Sequence, residues 1–230
     1  MEVTGKREGT QVCAQVSDEA RIGRSLLAGS CSSSRVGTTN RRSTGVHATT
    51  TTTPPLRVLL HTDLVGSTAL NVRVGDENFV RLWADHRAMV HRTAVTHEGH
   101  LFHHTGDGFG LWFHDSWHAV ECAFEIHRWL QLGDLCDPNA ALAVRIGLAA
   151  GRPIACGSDL FGLAVVRAVR VCALAGAGQT LAASEVLSIQ ALPCVEAEFA
   201  CRVVLKGFCE PTSVFGLHPA AETAGADANS

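Results

Sequence analysis

The stretch LHTDLVGST at residues 60–68 directly continues the apolar run RVLL at residues 57–60, and the two together decide the fold. A short apolar run with a polar end is typical of a buried strand, and a Gly-Ser-Thr sequence is typical of a helix start. Asp63 therefore falls where a strand gives way to a helix N-terminus. Because the N–H groups of a helix start bind anions, we expect Gly66, Ser67 and Thr68 to hold a phosphate beside Asp63.

A second aspartate follows on a predicted hairpin. Residues 101–105 and 109–113 have the pattern of two strands, and Gly106-Asp107-Gly108 between them supplies the positive φ that a tight turn needs. If this hairpin lies beside the first strand, Asp63 and Asp107 meet at one edge of the sheet. Paired carboxylates are hard oxygen ligands for Mg²⁺ or Mn²⁺. Taken singly, Asp63 could merely cap a helix and Asp107 merely form a turn.

The remaining periodicity predicts the rest of the domain. Apolar spacing near 3.6 residues indicates helices at 76–98, after an Asp cap, at 116–132 and at 161–175, and short apolar runs indicate strands at 142–150, 180–183 and 203–205. The order β-α-β-β-α-β with later strands predicts an α+β fold, a ferredoxin-like sandwich in which one sheet is backed by helices on one face.

Composition sets the domain boundaries. Residues 29–55 are rich in Ser, Thr, Gly and Arg and nearly free of large apolar side chains, so they cannot bury enough surface to offset the entropy of ordering. We therefore expect a flexible or low-complexity tail at 1–55, one domain at 56–218 and a flexible tail at 219–230.

Charge and hydropathy exclude several classes of protein. The first 55 residues hold seven Lys/Arg and four Asp/Glu, so a net charge of −3 leaves an acidic body, which is a poor match for nucleic acid. No apolar stretch reaches the roughly 20 residues of a membrane span, and the first residues lack the apolar run that is typical of a secretory signal. Nine cysteines without a C-x-x-C pair indicate reduced, buried thiols, and we expect a cytoplasmic protein.

Four sequence blocks together carry a family resemblance. They are LHTDLVGST at 60–68, TGDGF at 105–109, DLFG at 159–162 and LKG at 205–207. In this order and spacing the chain resembles the catalytic domain of bacterial class III adenylyl/guanylyl cyclases. The resemblance implies a homodimer with sites shared at the subunit interface and two Mg²⁺ or Mn²⁺ ions per site. It assigns Asp63 and Asp107, with Leu64, to the metal site.

The resemblance also assigns residues that recognise the base of a nucleoside triphosphate. The family uses Lys with Asp for ATP, or Glu with Cys for GTP, and these positions hold His103 and Asp159. Asp159 can accept a hydrogen bond from an adenine amino group, whereas His103 is a shorter, pH-dependent substitute for an ammonium. ATP is favoured, and GTP stays open.

Three further positions follow from the resemblance. Arg170 matches the arginine that neutralises charge on the phosphates, Lys206 matches a position near the triphosphate, and Val166 stands where the family has a catalytic asparagine. Losing one such polar group costs about a hundredfold to a thousandfold in rate. Arg167, the next residue, is interpreted as a solvated helix charge.

Two alternatives to an active cyclase stay open. The substitutions His103 and Val166 also fit a degenerate cyclase-homology module that binds nucleotide, or only dimerises, and acts in regulation. A palm-like polymerase or a diguanylate-cyclase-like catalyst also binds metal ions through two carboxylates at a sheet edge. The DLFG block and Arg170 argue against this alternative. The spacing of His97, His100, His103 and His104 does not fit a zinc site.

Overall fold

The computed structural model describes residues 53–132 and 142–220, so nearly all of the two predicted tails lies outside the described residues. The strands are β1 (Arg57–Leu64), β2 (His100–Thr105), β3 (Gly108–Phe113), β4 (Val144–Gly151), β5 (Ile154–Cys156), β6 (Asp159–Phe161), β7 (Thr180–Ala183), β8 (Val195–Val204) and β9 (Pro211–Pro219). The helices are α1 (Ser67–Val74), α2 (Asp76–Thr96), α3 (Ser116–Gln131), α4 (Leu163–Cys172) and α5 (Ser184–Leu187).

Seven strands form one sheet in the order β2-β3-β1-β4-β7-β9-β8, while β5 and β6 form a separate hairpin. Within the sheet, β4 and β7 pair parallel and the other neighbours pair antiparallel. The elements β1, α2, β2, β3, α3 and β4 make up the predicted ferredoxin-like unit, whose strand order is β2-β3-β1-β4. The predicted α+β fold is therefore confirmed.

The main core lies between the sheet and the pair α2 and α3. Alternate residues of β1 enter it, among them Val58 and Leu60, together with Phe109 and Phe113 of β3. All four side chains are almost completely buried. This alternation follows from the two-residue period of a strand, and it turns the odd-numbered residues of β1 to the other face.

Helix α4 covers that other face, so the expectation of helices on one face holds for α2 and α3 but not for α4. Its residues Ala168 and Val171 form a second core with Leu59 of β1. The contact is close because β4 carries Gly147, where a Cβ atom would lie 2.1 Å from the Cys172 nitrogen and 2.6 Å from the Ala168 oxygen. The backbone of α4 therefore packs directly on β4.

Several local features differ from the sequence prediction. Helix α1 is capped by Gly66 in a left-handed conformation without a side-chain hydrogen bond, and α2 is capped by Gly75 rather than by an Asp. Helix α4 begins at Leu163 because Gly162, with φ of 135°, separates it from β6. The prediction missed β5, β6, α5 and β9, and it gave β8 only its last residues.

The cysteines are less uniformly buried than expected. Cys122 and Cys172 are buried, which raises the pKa of each thiol, in Cys172 to about 12. Cys156, Cys194 and Cys209 are exposed, so the prediction of buried thiols is wrong for these three. In the described part of the chain, every helix is too short or too polar to cross a bilayer.

Candidate functional site

The end of β1 and the tip of the β2–β3 hairpin meet at one edge of the sheet. Thr62 pairs with Phe109, so Asp63 lies one residue beyond that pair and Asp107 lies at the turn two residues before it. The approach is tight, since a Cβ atom on Gly108 would lie 2.7 Å from the Thr62 carbonyl oxygen. The structure thus brings the two predicted metal aspartates to the same edge, as the sequence predicted.

Asp63 is held by an arginine on the neighbouring strand. Asp63 faces Arg145 across the β1–β4 pair, and Arg145 donates from Nε and Nη2 to Asp63 Oδ2 at 2.8 and 2.6 Å. The side chains of Arg145 and Asp63 are 34% and 28% exposed, so the pair is partly shielded from water. The Asp63 carboxylate is therefore oriented and partly neutralised by a guanidinium.

His61 lies on the same face of β1 as Asp63, two residues earlier. Its Nε2 lies 3.3 Å from the place a Cβ of Gly108 would take. Burial lowers the pKa of His61; the carboxylates of Asp63 and Asp107 oppose this shift, and the charges of His103 and Arg145 add to it. His61 is therefore a neutral imidazole close to the edge that carries Asp63 and Asp107.

The donor set at this edge suits a hard cation. Asp63 and Asp107 supply carboxylate oxygens, while the Leu64 side chain is buried in the main core, so only the main chain of Leu64 could contribute a ligand. Within residues 53–132 and 142–220, His, Cys, Asp and Glu nowhere form a group of three that could hold a metal ion. The remaining ligands would have to be main-chain oxygens, water or phosphate.

An open groove of about 410 Å³ adjoins Asp107. Its lining residues are Ser67, Thr68, Asn71, Phe79, Val80, Trp83, Gly106 and Asp107. The first turn of α1 borders it, and Trp83 Nε1 donates to the Gly106 carbonyl oxygen at 3.1 Å, which fixes the hairpin tip. Two of the predicted phosphate residues, Ser67 and Thr68, therefore share one concave surface with Asp107.

The predicted base-recognition residues also meet. His103 lies on β2 after a β-bulge, Asp159 begins β6, and His103 Nδ1 lies 3.8 Å from Asp159 Oδ1. Their side chains are 48% and 45% exposed. Both side chains are accessible to a ligand. His103 can donate a hydrogen bond and Asp159 can accept one.

Val166 and Arg170 lie one turn apart on the outward side of α4. Val166 is 41% exposed, and Arg170 is half-buried, with its buried Nε lacking a hydrogen-bond partner among the described residues. The helix spacing matches the predicted pair of positions, and valine supplies no polar group there. Lys206 is exposed in the turn between β8 and β9.

Arg167 is not the solvated helix charge that the sequence suggested. Its Nη1 donates to Glu185 Oε1 at 3.0 Å, and its guanidinium lies 4.9 Å from the centre of the Phe208 ring. The sequence prediction failed here because nothing in the local pattern links position 167 to residues 18 and 41 positions away.

Sequence reasoning missed Arg145 and His61. A signal existed for both: His61 shares the strand face of Asp63 by the two-residue period, and Arg145 is the single charged residue in the apolar run LAVRIGLAA at 142–150. A charge inside a buried strand requires a partner, and Asp63 on the adjacent strand supplies one.

A curated protein resembles part of this chain. No protein-family model matches the chain. A curated relative described as "Putative adenylate cyclase 3" from Rhizobium meliloti (strain 1021) is 32% identical over 124 residues, which are 54% of this chain. The matched residues span 21% of that relative's length, so the similarity covers about a fifth of it.

Solved structures with the same fold are nucleotide cyclase domains. The adenylyl cyclase CyaB from P. aeruginosa superimposes with a TM-score of 0.63 at 17% identity, over 74% of this chain and 97% of that chain. An adenylate/guanylate cyclase/hydrolase from Silicibacter pomeroyi gives 0.60 at 24% identity, over 72% and 98%. The catalytic core of a rhodopsin-guanylyl cyclase with converted specificity, in complex with ATPαS, gives 0.66 at 15% identity, over 73% and 98%.

Proposed function

We propose that this chain is a member of the class III adenylyl/guanylyl cyclase family and a divalent-metal-dependent cyclase that converts a nucleoside triphosphate, with ATP favoured, to a 3′,5′-cyclic nucleotide and pyrophosphate. The observation that carries the proposal is the meeting of Asp63 and Asp107 at one sheet edge, beside the start of α1. An edge of this kind fits a metal-bound polyphosphate.

In this proposal Asp63 and Asp107 hold two Mg²⁺ or Mn²⁺ ions, which supply activation of the ribose 3′ hydroxyl and charge neutralisation on the phosphates. The main-chain N–H groups of Gly66, Ser67 and Thr68 bind the β- and γ-phosphates. Arg145 keeps the Asp63 carboxylate in one orientation.

The reaction is an in-line displacement at the α-phosphorus. The 3′ oxygen forms the new P–O bond while the bond to the pyrophosphate oxygen breaks, and the hydroxyl proton passes to solvent. Arg170 stabilises the negative charge that develops on the phosphates, and Lys206 binds the pyrophosphate portion. With Val166 in place of an asparagine, no amide orients the ribose, so we expect slow turnover.

The preference for ATP rests on the pair formed by His103 and Asp159. Asp159 accepts a hydrogen bond from the adenine 6-amino group, and His103 donates to a ring nitrogen. Guanine presents a carbonyl oxygen at the corresponding position, which an aspartate repels.

The proposal includes a homodimer built from the domain at 56–218. Large apolar side chains are exposed on the β5–β6 hairpin, on the start of α4 and on β8: Ile154, Phe161, Leu163, Phe199 and Val204. Exposed apolar groups of this kind suit a subunit interface. In the dimer, the metal edge of one copy faces the His103–Asp159 pair and α4 of the other, in the cytoplasm.

A second candidate is supported by Val166 and His103. In that case the domain binds a triphosphate, or only dimerises, and transmits a signal without turnover. It would lack the transition-state asparagine and retain the metal edge, so nucleotide binding without product distinguishes it from the first candidate.

The test is cyclic nucleotide formation by the purified chain with Mn²⁺ and either ATP or GTP, with Asp107→Ala as the control. We expect product from ATP that disappears in the variant. Triphosphate binding without product would favour the regulatory module. Neither binding nor product would overturn the cyclase proposal and leave only the form of the second candidate that dimerises without nucleotide.

A further inference from the structure

Arg167, in the middle of α4, connects this helix to two other segments of the chain. From α4 it donates to Glu185 on α5, and its guanidinium stacks on Phe208, which lies just past β8. The side chains of Arg167 and Glu185 are only 28% and 30% exposed. A planar guanidinium that is both paired and stacked on an aromatic ring is more restrained than a surface charge.

The Phe208 contact fixes a tight turn. The turn runs from Leu205 to Phe208 and is closed by a hydrogen bond from the Phe208 N–H to the Leu205 carbonyl oxygen at 2.9 Å. Leu205 is 3% exposed in the same core as α4, and Gly207 takes a φ of 90°. These features are those of a type II turn, with Lys206 at the first corner.

Both ends of the turn are therefore attached to α4, one through the buried Leu205 and one through Phe208 under Arg167. Lys206 projects from the middle of this restrained segment and is exposed. A lysine side chain is long and flexible, so its average position depends on how firmly its backbone is held. Arg170 lies on the same helix, one turn from Arg167, so holding the turn against α4 also holds Lys206 at a fixed place relative to Arg170.

We propose that Arg167 is a positioning residue for Lys206: by pairing with Glu185 and stacking on Phe208, it holds the Leu205–Phe208 turn on α4, so that Lys206 and Arg170 act on one phosphate group. This inference rests on the proposed function, which assigns Lys206 to the pyrophosphate portion. In this clamp of Arg167, Glu185 and Phe208, Arg167 acts through the turn and does not contact the ligand itself.

The test measures binding of magnesium pyrophosphate to the full chain by calorimetry, without turnover. Lys206→Ala removes the charge, and we expect about a fivefold to tenfold weaker affinity, the value of one charge-assisted contact. Arg167→Met should weaken binding to a similar degree. The double variant should bind no more weakly than Lys206→Ala alone, because both changes remove the same contact.

Two variants sharpen the result. Arg167→Lys keeps the charge beside Glu185 but loses the planar stack, so its affinity should lie between those of the wild type and Arg167→Met. Arg92→Met removes an exposed arginine of α2, away from the proposed interface, and should bind as the wild type does. Hydrogen exchange of the Phe208 amide should be faster in Arg167→Met and unchanged in Arg92→Met.

The outcomes separate this inference from the proposed function. If wild type binds and Arg167→Met binds equally well, or if the losses of the two single variants multiply, the clamp is overturned and the cyclase proposal stands. If Arg167→Met does not fold, Phe208→Leu replaces it, because it removes the stack and keeps the ion pair; unchanged affinity there also overturns the clamp. If wild type does not bind pyrophosphate, the proposed function fails and the inference fails with it.

Discussion

The proposed metal edge, which carries Asp63 and Asp107 and is called the metal edge below, differs from the outer surface of α4 and β2 in how completely its side chains are partnered. At the metal edge, Asp63 is bonded to Arg145, and Trp83 fixes the hairpin tip that carries Asp107. On the other surface, His103 and Asp159 are nearly half exposed, and Val166 faces outward. In the first region, contacts within the chain hold the side chains in place. In the second region, the side chains are exposed and can contact a ligand or a second copy of the chain. The differences from the family pattern, at His103 and Val166, fall in this second region.

The metal edge should be the more sensitive region to a single change. Asp107→Asn keeps the size of the side chain and the hairpin but removes the anionic ligand, so we expect cyclase activity to fall about a hundredfold to a thousandfold. The measurement is initial rate with Mn²⁺ and ATP. Glu196→Gln, the same chemical change on the exposed strand β8, should leave the rate unchanged. Equal rates for wild type and Asp107→Asn would show that Asp107 is not a metal ligand.

Restoring the family's residues on the outer surface should raise the rate of turnover. His103→Lys combined with Val166→Asn returns an ammonium and an amide to the two altered positions, and we expect turnover to rise about tenfold to a hundredfold. Val166 is 41% exposed, so the asparagine causes no burial of a polar group. Val95→Asn, at another exposed helix position, is the matched control. A rate that does not change would place the limiting defect elsewhere.

The core beneath the metal edge contains a histidine that makes stability depend on pH. His86 is fully buried, neither ring nitrogen has a hydrogen-bond partner in the described part of the chain, and burial lowers its pKa to about 4, with Asp107 opposing the shift. Between pH 6.5 and 4 the unfolded chain binds the proton that the folded chain does not, so stability falls as the pH falls. From pH 8 to pH 5 the loss is about 2 kcal/mol.

His86→Leu tests this dependence. The change keeps the volume and removes two unpaired ring nitrogens, so we expect the free energy of unfolding at pH 7 to rise by about 1 kcal/mol and the slope between pH 8 and 5 to flatten. Urea denaturation at several pH values measures both. His114→Leu, at an exposed position, should leave the slope as in wild type, and a slope unaltered by His86→Leu would contradict the assignment.

The smallest effect is expected at the Asp63 pair. Arg145→Met removes a positive charge beside the proposed metal ligand, so Mn²⁺ affinity should rise about threefold, a modest change because the pair is partly exposed. Electron paramagnetic resonance of free Mn²⁺ measures the affinity without turnover. Arg152→Met, an arginine bonded to the Pro54 carbonyl oxygen, serves as the control. A lower affinity in Arg145→Met would mean that Arg145 orients Asp63 more than it competes with the cation.

Local pattern was sufficient for most of the fold. The apolar periods located α2, α3 and the β2–β3 hairpin to within a few residues, because each element buries one regular face. The pattern gave no information on which face of the sheet α4 would cover, since that depends on Gly147, a residue with no side chain to read. The hairpin of β5 and β6 was missed because its strands are three residues long and largely exposed.

The candidate site, like the fold, could be predicted only where local sequence pattern determines the position of a residue. Asp63 and Asp107 could be placed together because each stands at the end of a strand or in a turn, where the chain direction is set by glycines. The partner of Asp63 could not be named, because Arg145 is 82 residues away and its approach depends on the register of β1 against β4. The contacts of Arg167 were beyond reach for the same reason, since they join separate elements.

The absent side chain at Gly147 also bears on how sequence variation would act on this protein. A change as small as Gly147→Ala places a methyl group within the backbone of α4, and the helix must move outward to accept it. Such a substitution would look like an ordinary interior replacement in a mutational scan, yet it would displace the outward-facing side chains of α4 relative to the metal edge. Related sequences would therefore keep the proposed activity only if they kept glycine at this position, although the position contacts no ligand in the proposed site.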